Sequence, residues 1–337
     1  MLAQALDTVR FLATDPVAAV RTGQTPHTVI HRENKASLRY FPPAEILHAP
    51  LFVSMPLINT WTIFDLMPGR SVVEALVAAG VPVYLLDWGK AGPEDQERSL
   101  ASYVDVLIGR MLDRARRHAG TPQLDALGYC VGGTFLAMHL ARNRTLYSGQ
   151  PLVRRVAFLC TPIDFARSGR LATWAQPDTF PLDAIVDGLG NFPRGLMGSS
   201  FQWLRPAGQS ARWRTLVERI GDAGFRDLWA AMEQWNSDGV DFPGEAYRAY
   251  VRGCYFENRL MTGGWTLDGR TVDLHAATIP ATTIAASEDH IVPPAAAFGL
   301  ADAWGGPVTT KTVRGGHVAV CVGKELPAVL LDWVRST

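Results

Sequence analysis

Apolar residues recur at helical spacing through the first twenty positions. Leu2, Leu6, Val9, Phe11, Leu12 and Val17 fall near one side, with Asp7, Arg10 and Asp15 elsewhere, a pattern that predicts an amphipathic helix docked on the body of the protein. Two β-prone runs, 27–32 and 36–41, then flank the polar Glu33-Asn34-Lys35 and predict a hairpin closed by Pro42-Pro43. From residue 49 a regular rhythm begins. Short apolar runs at 49–55, 81–86, 124–129 and 155–159 alternate with segments of helical period at 71–79, 100–118 and 134–141. Strands joined by crossover helices must lie parallel, so this half predicts an α/β sheet.

The rhythm stops after Cys160-Thr-Pro-Ile-Asp-Phe165. More than one hundred residues follow that hold Trp174, Trp203, Trp213, Trp229, Trp235 and Trp265 but show no strand–helix alternation. A segment so long and so aromatic is too apolar for a disordered linker and reads as a largely helical cap. Alternation resumes with a strand at 281–286, a helix at 294–303, a strand at 308–313 and a last helix at 326–334. The expected division is therefore a core of residues 1–166 and 279–337, with a cap subdomain of 167–278 inserted between them.

Composition narrows the function classes. The 32 basic and 32 acidic side chains of the 337 residues cancel, leaving no basic excess to follow a nucleic-acid backbone. Cys130, Cys160, Cys254 and Cys321 form no C-x-x-C pair, so neither a metal site nor a redox dithiol is expected. The charges among the first twenty residues break any secretory apolar core, and no stretch is long enough to span a bilayer. A cytoplasmic location is expected, in which the Asn143-Arg144-Thr145 sequon carries no meaning.

The strongest chemical signal is Gly128-Tyr-Cys-Val-Gly-Gly133, set where a strand ends and a helix begins. It has the form of a nucleophile elbow with cysteine in the serine position, the glycines allowing a strained turn to close. That architecture requires an acid after a later strand and a histidine after the last. Asp289 follows the strand at 281–286, with Glu288 as the competing acid, and His317 follows the strand at 308–313, with His290 as the competing base. The expected fold is thus an α/β-hydrolase fold with a mostly parallel central sheet beneath an inserted helical cap. His317 is expected to take the thiol proton of Cys130, and Asp289 to orient His317 and stabilise its charged form. The oxyanion donors expected are the N–H of Val131 and, from the loop after the first sheet strand, that of Ile58. Asn59 and His290 are expected to meet substrate. His27, His31, His48, His118 and His275 are expected to lack partners, and His139 to be packed.

Cysteine bears on the reaction class. A thiol attacking a thioester exchanges one thioester for another at little net cost, and transfer from sulfur to an alcohol then runs downhill. A cysteine elbow under an apolar cap suits acyl transfer with water excluded.

With these residues in place, the chain resembles the catalytic subunits of class III polyhydroxyalkanoate synthases along nearly its whole length. The motifs that carry the likeness include Val83-Tyr-Leu-Leu-Asp-Trp-Gly89, the elbow at Cys130, Thr161-Pro-Ile-Asp-Phe165, Gly190-Asn-Phe-Pro193, Met232-Glu-Gln-Trp235, Asp289-His-Ile-Val-Pro293 and Gly315-Gly-His317. The resemblance implies polymerisation of 3-hydroxyacyl-CoA, of short chain such as 3-hydroxybutyryl-CoA, with CoA release through a Cys130 thioester. It implies that the acid also activates the incoming 3-hydroxyl. It further implies no cofactor, a homodimer, a small accessory subunit and association with polyester granules. The chain departs from that family at Val131, where glutamine is common, at Thr60-Trp61 and at Lys90-Ala91. These departures keep open a related enzyme that transfers a single acyl group, or hydrolyses thioesters or esters, with the same triad.

Overall fold

The computed structural model describes residues 2–142 and 151–336, and the Asn143-Arg144-Thr145 sequon lies outside them. Eight strands form the central sheet: β1 (Thr28–Glu33), β2 (Ala36–Phe41), β3 (Leu51–Ser54), β4 (Val83–Asp87), β5 (Leu124–Tyr129), β6 (Val153–Leu159), β7 (Ala281–Ala286) and β8 (Val308–Val313). Their order is β1-β2-β4-β3-β5-β6-β7-β8. Only β2 runs against its neighbours, pairing antiparallel with β1 and with β4; every other pairing is parallel.

Burial along the strands explains their composition. Every residue of β3, β5 and β7 is buried, as required of central strands covered on both faces, whereas the edge strands β1 and β8 are mostly half-buried or exposed. The crossover helices are α2 (Val72–Ala78), α3 (Ile108–Ala119) and α4 (Cys130–Arg142), with α14 (Glu325–Arg335) closing the chain. Between β6 and β7 lie seven further helices: α5 (Arg170–Trp174), α6 (Leu182–Leu189), α7 (Arg194–Leu204), α8 (Pro206–Glu218), α9 (Ala223–Ser237), α10 (Gly244–Tyr250) and α11 (Arg259–Thr262).

Several expectations need correction. The helix expected over 294–303 is two pieces, α12 (Pro294–Phe298) and α13 (Leu300–Ala303), parted at Gly299, where a Cβ would stand 2.5 Å from that of Asp164. The helix expected from residue 100 carries a π-helical stretch, Ser102–Leu107, before α3. α4 begins four residues earlier than its period indicated, at the elbow cysteine itself. The first helix, α1 (Leu2–Ala13), docks by Thr8, which is buried, and by Phe11, edge-on to Trp229 at 6.1 Å. Of its expected apolar stripe, Phe11 packs inward, with Val17 just beyond the helix, whereas Leu6, Val9 and Leu12 face outward, Leu6 52% and Val9 64% exposed.

Three histidines expected to stand alone have partners that the fold brings to them. His118 Nδ1 bonds the Tyr84 hydroxyl at 2.9 Å, His27 lies between the Thr25 carbonyl and the Arg39 guanidinium, and His31 stands 3.8 Å from Glu33. His139 is packed, its Nδ1 bonded to the Val104 carbonyl.

Candidate active site

The elbow is a backbone construction. β5 ends at Tyr129, Cys130 takes φ +52°, and α4 starts at once. A left-handed conformation at a non-glycine residue is held only where the surroundings impose it. Here they do so by close approach: a Cβ on Gly132 would lie 2.1 Å from the Met55 carbonyl oxygen, and one on Gly133 2.0 Å from Thr161 Oγ1. The same crowding brings β3, β5 and β6 together beneath the cysteine.

The loops after β7 and β8 meet beside it. Asp289 is buried, and its Oδ1 accepts from the N–H groups of Ile291 at 2.9 Å and Val292 at 2.8 Å. This fixes the carboxylate so that Oδ2 faces His317 Nδ1 at 2.7 Å. The Glu288 N–H donates to the Gly315 carbonyl at 2.8 Å, tying the acid loop to the histidine loop. Glu288 itself is exposed, so of the two candidate acids only Asp289 touches the imidazole. Tyr129 stacks under His317 with ring centroids 5.4 Å apart, its hydroxyl donating to the His317 carbonyl at 3.1 Å, and Phe64 stacks on Tyr129 in turn.

The electrostatics favour a charged imidazole. Burial by itself depresses the pKa of His317, but the negative charges at Asp289 and Cys130, with hydrogen bonds to both, raise it from 6.5 to about 10. Burial pushes the thiols of Cys160 and Cys254 well up and that of Cys321 to about 12, so these three stay protonated. Cys160, also at positive φ, has its sulfur in a group with Asp289 and His317 whose donor atoms all lie within 4.8 Å of one another. Sequence reading missed that proximity; its one signal was a cysteine at the end of the strand next to the elbow strand. Three buried donors could in principle hold a metal ion, but Asp289 and His317 already satisfy each other in the orientation a triad needs.

The expected oxyanion donors fall beside the nucleophile. Val131, at the first turn of α4, has an N–H with no partner inside the helix and lines the cavity over Cys130, as does Ile58. The Ile58 carbonyl accepts from Val240 N–H at 3.1 Å, linking the loop after β3 to the segment between α9 and α10. Asn59 lines a second cavity with Cys130 and His317. His290 is exposed and lines neither cavity; the Asp289 turn brings Ile291 inward in its place.

Two cavities thus meet at Cys130. One, of about 150 Å³, is apolar, with Phe180, Phe192, Phe242, Tyr247, Tyr250 and Tyr255 in its wall, the buried phenols held in their neutral form. The other, of about 520 Å³, carries more polar and charged side chains in its wall than the first, among them Arg194, Gln202, Arg205, Arg212 and Glu233.

Residues 64–321 match the family described as the alpha/beta hydrolase fold. The chain is 32% identical over 330 residues to the poly(3-hydroxyalkanoate) polymerase subunit PhaC of Haloferax mediterranei, a match covering 95% of this chain and 65% of that protein. It is 31% identical over 329 residues to the like-named subunit of Allochromatium vinosum, covering 94% of this chain and 90% of that one. Among solved structures, the thioesterase domain from the curacin biosynthetic pathway aligns over 92% of this chain and 99% of its own, at 11% identity and a TM-score of 0.53, a likeness of fold alone.

Proposed function

The chain belongs to the alpha/beta hydrolase fold family and, within it, to the poly(3-hydroxyalkanoate) polymerases, and from that premise we propose that it polymerises 3-hydroxyacyl-CoA through a thioester on Cys130. Short-chain acyl groups such as 3-hydroxybutyryl are the proposed substrates, and no cofactor takes part. The observation that carries this reading is the Asp289–His317 pair at 2.7 Å beside a cysteine elbow.

In the first half-reaction His317 Nε2 takes the Cys130 proton, and the thiolate attacks the substrate carbonyl. The N–H groups of Val131 and Ile58 receive the oxyanion. The carbon–sulfur bond to CoA breaks, and the imidazolium returns its proton to the departing CoA thiolate. In the second, His317 removes a proton from an incoming 3-hydroxyl, whose oxygen attacks the acyl carbon; an ester forms and Cys130 leaves as thiolate. Asp289 keeps the imidazole in the tautomer that presents Nε2 to sulfur and stabilises its charge. The aromatic wall over Cys130 supports the reading, because excluding water protects the acyl-cysteine from hydrolysis.

Among the described residues no helix is long and apolar enough to cross a membrane. A granule surface in the cytoplasm, a second copy of the chain and a small accessory subunit are the proposed partners. Leu6, Val9, Leu196 and Trp203, all exposed, give such contacts apolar ground.

The test is peptide mass spectrometry after brief exposure to 3-hydroxybutyryl-CoA. The reading predicts a 3-hydroxybutyryl adduct on the Cys130 peptide; CoA release with that peptide unmodified throughout would overturn it.

A further inference from the structure

The two cavities that share Cys130 differ in chemistry. The smaller is walled by aromatic and aliphatic side chains. The larger is bounded by Arg194, Arg205 and Arg212 of the α7–α8 region, with Gln202, Asn236 and Glu233 between them. Three arginines against one glutamate make this wall net positive in a chain whose total charge is zero.

Much of their hydrogen-bonding capacity is unused. Arg212 Nη1 donates to Glu233 Oε1 at 2.7 Å, but its Nε is buried without a partner. Arg194 spends Nη1 on the carbonyls of Ser237 and Gly239. Arg205, at the junction of α7 and α8, has no side-chain partner among the described residues. Arg194 and Arg205 are exposed on this wall, and forked guanidinium donors match phosphate oxygens. At about 520 Å³ the cavity is of the size that small-molecule sites occupy, about 300–1,000 Å³.

Resting on the acyl-transfer reading above, we infer that the arginine-lined cavity binds the phosphate-bearing carrier end of the thioester substrate, and that the aromatic cavity receives the acyl part. Cys130, in both walls, then lies where the thioester bond must be. The carrier enters and leaves on the α7–α8–α9 side, while the acyl group stays on the aromatic side. Such a division lets spent carrier exchange for a fresh one without displacing the acyl group from its pocket. The arginines act on binding and not on the chemical step.

The test is calorimetric binding of free CoA, dephospho-CoA and pantetheine to the Cys130→Ala protein. CoA is expected to bind at least tenfold more tightly than pantetheine, with an affinity that falls as salt is added. Arg205→Glu should remove most of that difference. Arg205→Gln, checked by thermal melting, serves if the charge reversal fails to fold. Equal affinity for CoA and pantetheine, or CoA affinity indifferent to both substitutions, overturns the inference. Failure of the polymerase reading is distinguishable: a protein that makes no polymer but binds CoA through these arginines keeps the cavity assignment, whereas polymer formation with arginine-independent CoA binding overturns the cavity assignment alone.

Discussion

Replacing Asp289 by asparagine tests the triad at its most ordered contact. The wild-type carboxylate is held by two backbone N–H groups on Oδ1 and presents Oδ2 to His317 Nδ1 at 2.7 Å. An asparagine can keep its carbonyl oxygen on those same N–H groups, which turns its NH₂ toward the imidazole. Nδ1 must then accept, so the ring proton moves to Nε2, the nitrogen that has to receive the thiol proton. The charge that sustains the imidazolium is lost at the same time. The rise of the His317 pKa from 6.5 to about 10 corresponds to ~5 kcal/mol in favour of the charged ring, to which Asp289 and Cys130 both contribute. A wrong tautomer in an equivalent hydrolase triad costs about 10⁴ in rate, also ~5 kcal/mol. Single-turnover CoA release by Asp289→Asn is therefore expected to fall about 10³–10⁴-fold at neutral pH. The unaltered protein should hold a flat rate between about pH 7 and 9, because its imidazolium persists to about 10, whereas the variant's rate should climb with pH. A variant within tenfold of the unaltered rate, with the same pH profile, would refute the reasoning.

Three further outcomes follow from particular contacts. Because burial keeps Cys160, Cys254 and Cys321 protonated, iodoacetamide at neutral pH should label Cys130 far faster than the other three, as read by peptide mass spectrometry. Gly132→Ala would drive a Cβ into the backbone oxygen of Met55, which is itself held at 2.6 Å by Trp88 Nε1, so a loss of about 3 kcal/mol or more should appear in denaturant melts. His139 has its pKa lowered to about 4 by burial, opposed by its bond to the Val104 carbonyl and reinforced by Arg142. The unfolded chain binds that proton near 6.5, so stability is lost as pH falls from about 6.5 to 4, by ~3 kcal/mol in full, and His139→Gln should lose that much less over the window.

The sheet was legible because the physical signal is strong. Central strands buried on both faces read as unbroken apolar runs, and the elbow glycines are required by contacts under 2.5 Å. Asp289 and His317 were legible because strand ends fix where loops emerge. What escaped was set by tertiary contact. The outward Leu6 and Val9 of α1 share the period of Phe11, which docks. The π-helical stretches Ser102–Leu107 and Val251–Phe256 break no local rule that a sequence displays. One missed element did carry a signal: Asp268-Gly269, both at positive φ, turn the ribbon Trp265–Leu267 back onto Arg270–Val272, and an Asp-Gly pair between β-prone residues marks such a turn. The arginine-lined cavity could not be read in advance, because Arg194, Arg205 and Arg212 converge only through the packing of α7, α8 and α9.

The central claim is that Cys130 carries acyl groups into a growing polyester. Its most direct test is CoA release from 3-hydroxybutyryl-CoA by the purified protein, with product mass determined in parallel and the Cys130→Ala protein as control. The account predicts CoA release accompanied by high-mass polyester, both abolished in a variant that still melts cooperatively. Free 3-hydroxybutyrate or a single ester as the sole product, or polymer formed without the Cys130 thiol, would contradict it.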